Sequence, residues 1–126
     1  MIKEKAFELG KALRSGKFKQ GSHALRTGLN EFCCLGVACK LDKVKWNKDR
    51  RGEWSVKIPD TSFAALACLP KSVMDSFGFS DSVGQRKDRK KIVIEGNEYA
   101  GLADANDSGV SFEKIADYIE ANYEYL

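Results

Sequence analysis

The chain offers a short list of chemically capable side chains. It has four thiols, Cys33, Cys34, Cys39 and Cys68, and one imidazole, His23. It has two carboxylates in one polar stretch, Asp104 and Asp107, and two cation-rich segments, Arg14–Arg26 and Arg86–Lys91. Zinc needs four ligands, usually in spaced pairs. The thiols instead follow a CC-x4-C pattern with one distant fourth member, so they read better as core packing than as a metal centre. A thiol at a helix N-terminus can be activated as a nucleophile, and His23 could serve as its base. The apolar neighbours Phe32, Leu35 and Val37 argue for burial, which opposes activation. Asp104 and Asp107 could bind magnesium or act as acid and base. In a run such as DANDSG they more often form turns or precede a helix. No glycine-rich phosphate motif occurs, and neither a metal nor a cofactor is expected.

The two cationic segments differ in kind. Arg86–Lys91 carries five cations and one aspartate, without the interleaved aromatics that single-stranded nucleic acid would use. It reads as a solvated loop. Arg14–Arg26 holds Arg14, Lys17, Lys19, Gln20, Ser22, His23 and Arg26 between two helices, with glycine and serine hinges. Fixed cations, a glutamine and free backbone N–H groups suit an anionic ligand. This segment is the expected binding surface.

The elements that position these groups follow from periodicity. A first helix covers about residues 2–15, with Gly16 as its left-handed stop. Lys17–Gln20 and Ala24–Arg26 read as short extended pieces. From Cys33 to about Lys43 the chain is apolar nearly all round, which marks a central buried helix. Gly36 inside it costs about 1 kcal/mol of helix propensity and implies close approach by another backbone. Val44–Trp46 and Glu53–Ile58 read as a hairpin. Ser62–Cys68 reads as a short helix, and Pro70 opens another at its first position, ended by Gly78. Residues 80–91 form a mobile loop. Ile92–Ile94 and Glu98–Leu102 form a second hairpin, and Asp104–Gly109 a polar turn. Ser111 caps a final amphipathic helix through Phe112, Ile115, Ala116, Ile119 and Tyr123. The sum is a single α+β domain over residues 1–126, a small antiparallel sheet packed by three to four helices.

Bulk properties narrow the class. A chain of 126 residues fits one domain with a real core. A net charge of +3 and a pI near 8.6 fall short of a dedicated nucleic-acid binder. No apolar run is long enough to span a bilayer. The segment MIKEKAFELGKALRSG has no signal-peptide pattern, so a cytoplasmic setting with reduced thiols is expected.

The string LRSGKFKQGSHALRTGLNEFCCLGVACKL resembles a family of small proteins of tailed bacteriophages and prophages. Its pattern runs RSGxYxQG, LR, FCCLGV, an ND turn and FxxIAxxIE. This chain supplies Arg14-Ser15-Gly16, Gln20-Gly21, Leu25-Arg26, Phe32 through Val37, Asn106-Asp107 and Phe112 through Glu120. Phe18 stands where the family carries tyrosine, and residues 44–100 lie outside the pattern. The resemblance implies a phage accessory protein in the cytoplasm of a bacterial host, with counter-defence as its setting. Together with the polar segment it points to sequestration, without turnover, of an anionic nucleotide-type signal. Arg14, Lys17, Lys19, Gln20 and Arg26 would hold phosphates, and Asn106 and Asp107 would read a base or ribose. Other classes compete. One is a protein–protein inhibitor of a host enzyme anchored by Trp46, Trp54, Tyr123 or Tyr125. Another is a small enzyme using Cys34 or Asp107. A third is nucleic-acid binding through Arg86–Lys91. A homo-oligomer with pockets between subunits is also an expectation of so short a chain.

Overall fold

Helix α2, Cys34–Leu41, forms the centre of the core in this computed structural model, which describes all residues 1–126. Every residue from Cys34 to Cys39 is buried. Full burial of side chains such as Leu35 and Val37 contributes roughly 1.5–3 kcal/mol each. The Cys33 sulfur accepts the Gly36 N–H at 3.4 Å and caps the helix. Gly36 is needed for space. A Cβ there would lie 1.7 Å from the Leu25 carbonyl oxygen, so the chain just before Arg26 presses directly on the helix backbone.

Helix α1, Lys3–Arg14, and helix α5, Phe112–Asn122, pack together on this core, and a 3-10 turn, Tyr123–Tyr125, follows α5. Leu9 and Leu13 of α1 and Ile115 and Ile119 of α5 form the apolar seam. Ser111 accepts the Lys114 N–H at 3.4 Å and caps α5, as its sequence implies. Helix α3, Lys71–Phe77, begins after Pro70, which stands just outside the helix rather than at its first position. Gly78 stops α3 at φ +75°, a left-handed conformation that glycine adopts without strain.

The strands form three small sheets rather than one. β1, Lys19–Gln20, runs parallel to β3, Glu31–Phe32, and β2, Arg26–Gly28, pairs antiparallel with β3. β4, Trp46–Lys48, pairs with β5, Trp54–Lys57, in the hairpin register Trp46 opposite Val56. β5 also pairs with β6, Ala64–Ala65. β7, Ile92–Ile94, and β8, Asn97–Tyr99, make a separate hairpin. The architecture is α+β.

Two segments depart from the reading of the sequence. Ser62–Cys68 is not a helix. Ala64 and Ala65 form a strand because Lys57 and Val56 of β5 offer them a ladder, and periodicity cannot separate strand from helix in so short an apolar run. Asp104–Gly109 is not only a turn. Leu102–Asp107 is helix α4, a fifth helix, with Leu102, Ala105 and Asn106 buried. The Asp104 carboxylate accepts the Ala100 N–H at 2.9 Å and secures the entry to α4.

Candidate functional site

The thiols are placed for packing. Cys33, Cys34 and Cys39 are buried and Cys68 is exposed. Burial pushes the Cys33 thiol up to about 11, and raises those of Cys34 and Cys39 as well. The negative charge of Asp107 adds to the rise at Cys33 and Cys34. All three are therefore protonated at neutral pH, and α2's N-terminus does not generate a thiolate. No three His, Cys, Asp or Glu side chains are assembled as a metal site.

Asn106 is the polar node of the fold. Its Oδ1 accepts from Gln20 Nε2 at 3.0 Å and from the Cys34 N–H at 3.1 Å. Its Nδ2 donates to the Gly21 carbonyl at 2.8 Å and to Asp107 Oδ1 at 3.2 Å. An asparagine amide has two acceptor and two donor positions, so all four are filled. Gln20 is equally engaged. Its Nε2 also donates to the Val110 carbonyl at 2.7 Å, and its Oε1 accepts the Phe112 N–H at 3.2 Å. One side-chain pair thus ties the Gln20-Gly21 strand to the starts of α2 and α5. Asp107 accepts the His23 N–H at 2.8 Å and lies 3.5 Å from the His23 imidazole. His23 is held there with φ +69°. A shallow hollow of about 270 Å³ opens beside Gln20, Ser22, Asn106 and Asp107, and no cation lines it.

The cations expected to join that hollow are employed elsewhere. Arg14 donates to Glu120 through two 2.7 Å bonds and also to Asp117, which clamps α1 to α5 and raises its pKa further. Arg26 is buried, and burial lowers its pKa. Its guanidinium lies 3.6 Å from the Trp54 ring centroid and near Trp46 and Phe32. Its Nε and one terminal nitrogen donate to the carbonyls of Gly28 and Leu29 at 3.0 and 2.6 Å. Lys19 pairs with Glu31 at 3.4 Å. Lys17 is exposed and has no carboxylate partner. Of the residues expected to bind a ligand, Gln20, Asn106 and Asp107 are brought together by hydrogen bonds. The phosphate-holding role expected of Arg14, Gln20 and Arg26 is corrected: these donors already serve the protein's own acceptors.

A second concavity has the opposite character. Ser80, Gln85, Arg86, Lys87, Arg89 and Lys90 are among the residues around a cleft of about 530 Å³, within the size range of ligand sites. Its walls are anchored. Arg86 grips Asp88 through two bonds of 3.0 and 2.7 Å, donates to Tyr118 Oη at 3.0 Å, and stacks on Tyr125 at 4.3 Å. The guanidinium holds the Asp88 carboxyl down at about 2. The Lys87 N–H donates to the Tyr125 carbonyl at 2.7 Å, and Ser80 donates twice to the Leu126 carbonyl. Asp81 accepts the Val83 and Gln85 N–H groups and shapes the turn. Arg89 sits at φ +60°. The side chains of Lys87, Arg89, Lys90 and Lys91 remain exposed, with no carboxylate partner.

A family model described as "Domain of unknown function (DUF8296)" matches residues 1–123, nearly the whole chain. The chain belongs to this family. No curated protein and no solved structure matches the chain.

In this DUF8296 chain the basic cleft is the feature that sequence reasoning undervalued. Residues 86–91 combine five cations with one carboxylate, an excess of +4 that exceeds the +3 of the whole chain. That comparison was the available signal. What the linear sequence concealed is that Arg86 neutralises Asp88 locally, and that Tyr118, Tyr125 and Leu126 from the far end of the chain brace the loop.

Proposed function

We propose that this DUF8296 protein binds an anionic, phosphate-bearing ligand of nucleotide type in the basic cleft and holds it without turnover. The observation that carries this reading is the set of unpaired cations, Lys87, Arg89, Lys90 and Lys91, at a cleft of about 530 Å³ with a braced floor. Cations gathered around one concave surface sum their fields and attract anions more strongly than scattered ones. The Ser80 hydroxyl and Gln85 amide add neutral polar groups, which suit a sugar or base edge. Buried, protonated thiols and a saturated Asn106 supply no nucleophile or free base, which favours holding over chemistry. With the phage-family resemblance, this supports a counter-defence accessory protein that sequesters a signalling nucleotide in a bacterial host cytoplasm.

Calorimetric titration with a panel of cyclic and ADP-ribose-type nucleotides tests the reading. At least one member binds, its affinity falls as salt rises, and heating the complex releases it chemically unchanged. Absence of heat for every member, or recovery of a cleaved product, overturns it.

A further inference from the structure

The eight ion pairs of the molecule leave one region untouched. No charged side chain from Lys40 to Pro70 takes part in any of them. Seven cations and four carboxylates lie in that stretch. Two of the carboxylates are already engaged, Asp42 with the Ser76 hydroxyl and Asp49 with the N–H groups of Arg51 and Glu53. The stretch therefore carries an excess of three cations, none of them in an ion pair.

Two concavities meet on the β4–β5–β6 sheet. One, of about 440 Å³, lies among Lys45, Trp46, Asn47, Lys57, Phe63 and Ala64. The other, of about 430 Å³, shares Lys45 and Lys57, and there Asp42 and Asp60 lie beside Lys43. Pairing of Asn47 with Ser55 and of Lys57 with Ala64 puts Asn47, Lys57 and Ala64 on the sheet face opposite buried Val56, whereas Trp46, which pairs with Val56, lies on the other face. At one side stands Phe63, a ring left 72% exposed, and Leu66 is exposed three residues further on. The backbone at Phe63 is fixed. Its N–H donates to Thr61 Oγ1 at 3.1 Å, its carbonyl accepts the Ile58 N–H at 3.3 Å, and Thr61 Oγ1 donates to the Ile58 carbonyl at 3.0 Å. A fixed backbone under an exposed aromatic limits the freedom lost when the ring is covered, which favours binding.

We propose that this sheet face docks an acidic segment of a partner protein, with an apolar side chain on Phe63 and carboxylates on Lys45 and Lys57. Charge complementarity selects the partner: the concavity beside Phe63 is lined by two lysines and no carboxylate, so it attracts an acidic segment and repels a basic one. The aromatic content selects protein over single-stranded nucleic acid. Successive bases need successive open rings. Trp46 packs against Phe32 and Arg26, and Trp54 is covered by Arg26, so Phe63 is the one open ring here. Leu66 offers grease rather than a stacking face. The site is separate from the basic cleft and stands whether or not that cleft holds an anion.

The test uses fluorescein-labelled synthetic peptides alternating glutamate with leucine, or lysine with leucine, together with a labelled oligothymidine, read by anisotropy on the full chain. The acidic peptide binds. Lys57→Glu and Phe63→Ser each weaken it by about tenfold, and Lys11→Glu, the same charge change on α1, leaves it unaltered. Unchanged urea midpoints of the two sheet variants show that folding is intact. Equal binding of the basic peptide, tighter binding of oligothymidine that Lys57→Glu abolishes, or indifference to both sheet substitutions overturns the proposal.

Discussion

Asn106 shows how a residue type that suggests recognition can instead serve assembly. Its four hydrogen bonds join β1, α2 and α4 from a buried position. Removing the amide strands the buried Cys34 N–H and the Gly21 carbonyl. An unsatisfied buried group costs about 1–3 kcal/mol, so Asn106→Ala is expected to lose about 3 kcal/mol in urea unfolding, close to the total for two such groups. A loss within error of zero would remove Asn106 from this role. The thiols give a second residue-scale expectation. In the native protein at neutral pH, iodoacetamide labels Cys68 alone, and Cys33, Cys34 and Cys39 react only after unfolding, as mass spectrometry of labelled peptides would show. Native labelling of Cys34 would reopen the nucleophile reading. The residue types around Gln20 and Asn106-Asp107 were legible in the sequence as a polar locus. Their employment was not, because a polar side chain announces that it will hydrogen-bond without announcing its partner. Arg26 makes the same point: its cation reads as a phosphate ligand until Trp54 is found 3.6 Å from it.

At the scale of elements, the long periodic segments were the readable ones. α1, α2 and α5 emerge from apolar spacing, and the glycine inside α2 signals the close backbone that the structure supplies in Leu25. Gly36→Ala tests that contact. The added methyl meets a backbone carbonyl that also accepts the Cys33 N–H at 3.2 Å and so cannot move alone. Overpacking of this kind costs about 3 kcal/mol, measurable as a lowered urea midpoint; an unchanged midpoint would show that the chain just before Arg26 yields freely. The short elements were not legible. β6 exists because β5 offers it a ladder, and α4 exists because Leu102 and Ala105 find the core. Both depend on partners distant in sequence, which local pattern does not carry.

For the whole molecule, the distribution of charge decides where function is sought. The loop at residues 86–91 carries a positive excess larger than that of the entire chain, and the C-terminal turn braces it into a cleft wall. In the Arg14–Arg26 segment, Arg14, Lys19, Gln20 and Arg26 are engaged by the protein's own acceptors, and Lys17 stands without a carboxylate partner. The direct comparison is a pyrophosphate titration, followed by calorimetry, of the unaltered protein, of Arg89→Glu/Lys90→Glu and of Lys17→Glu/Lys19→Glu. Loss of two cations and gain of two anions at the cleft is expected to weaken binding by about tenfold or more. The Lys17/Lys19 pair, which does not line the cleft, is expected to leave it within about twofold, since salt screens exposed charges. Weakening by the Lys17/Lys19 pair with no effect of the Arg89/Lys90 pair would contradict the account and return the anion site to the segment before α2.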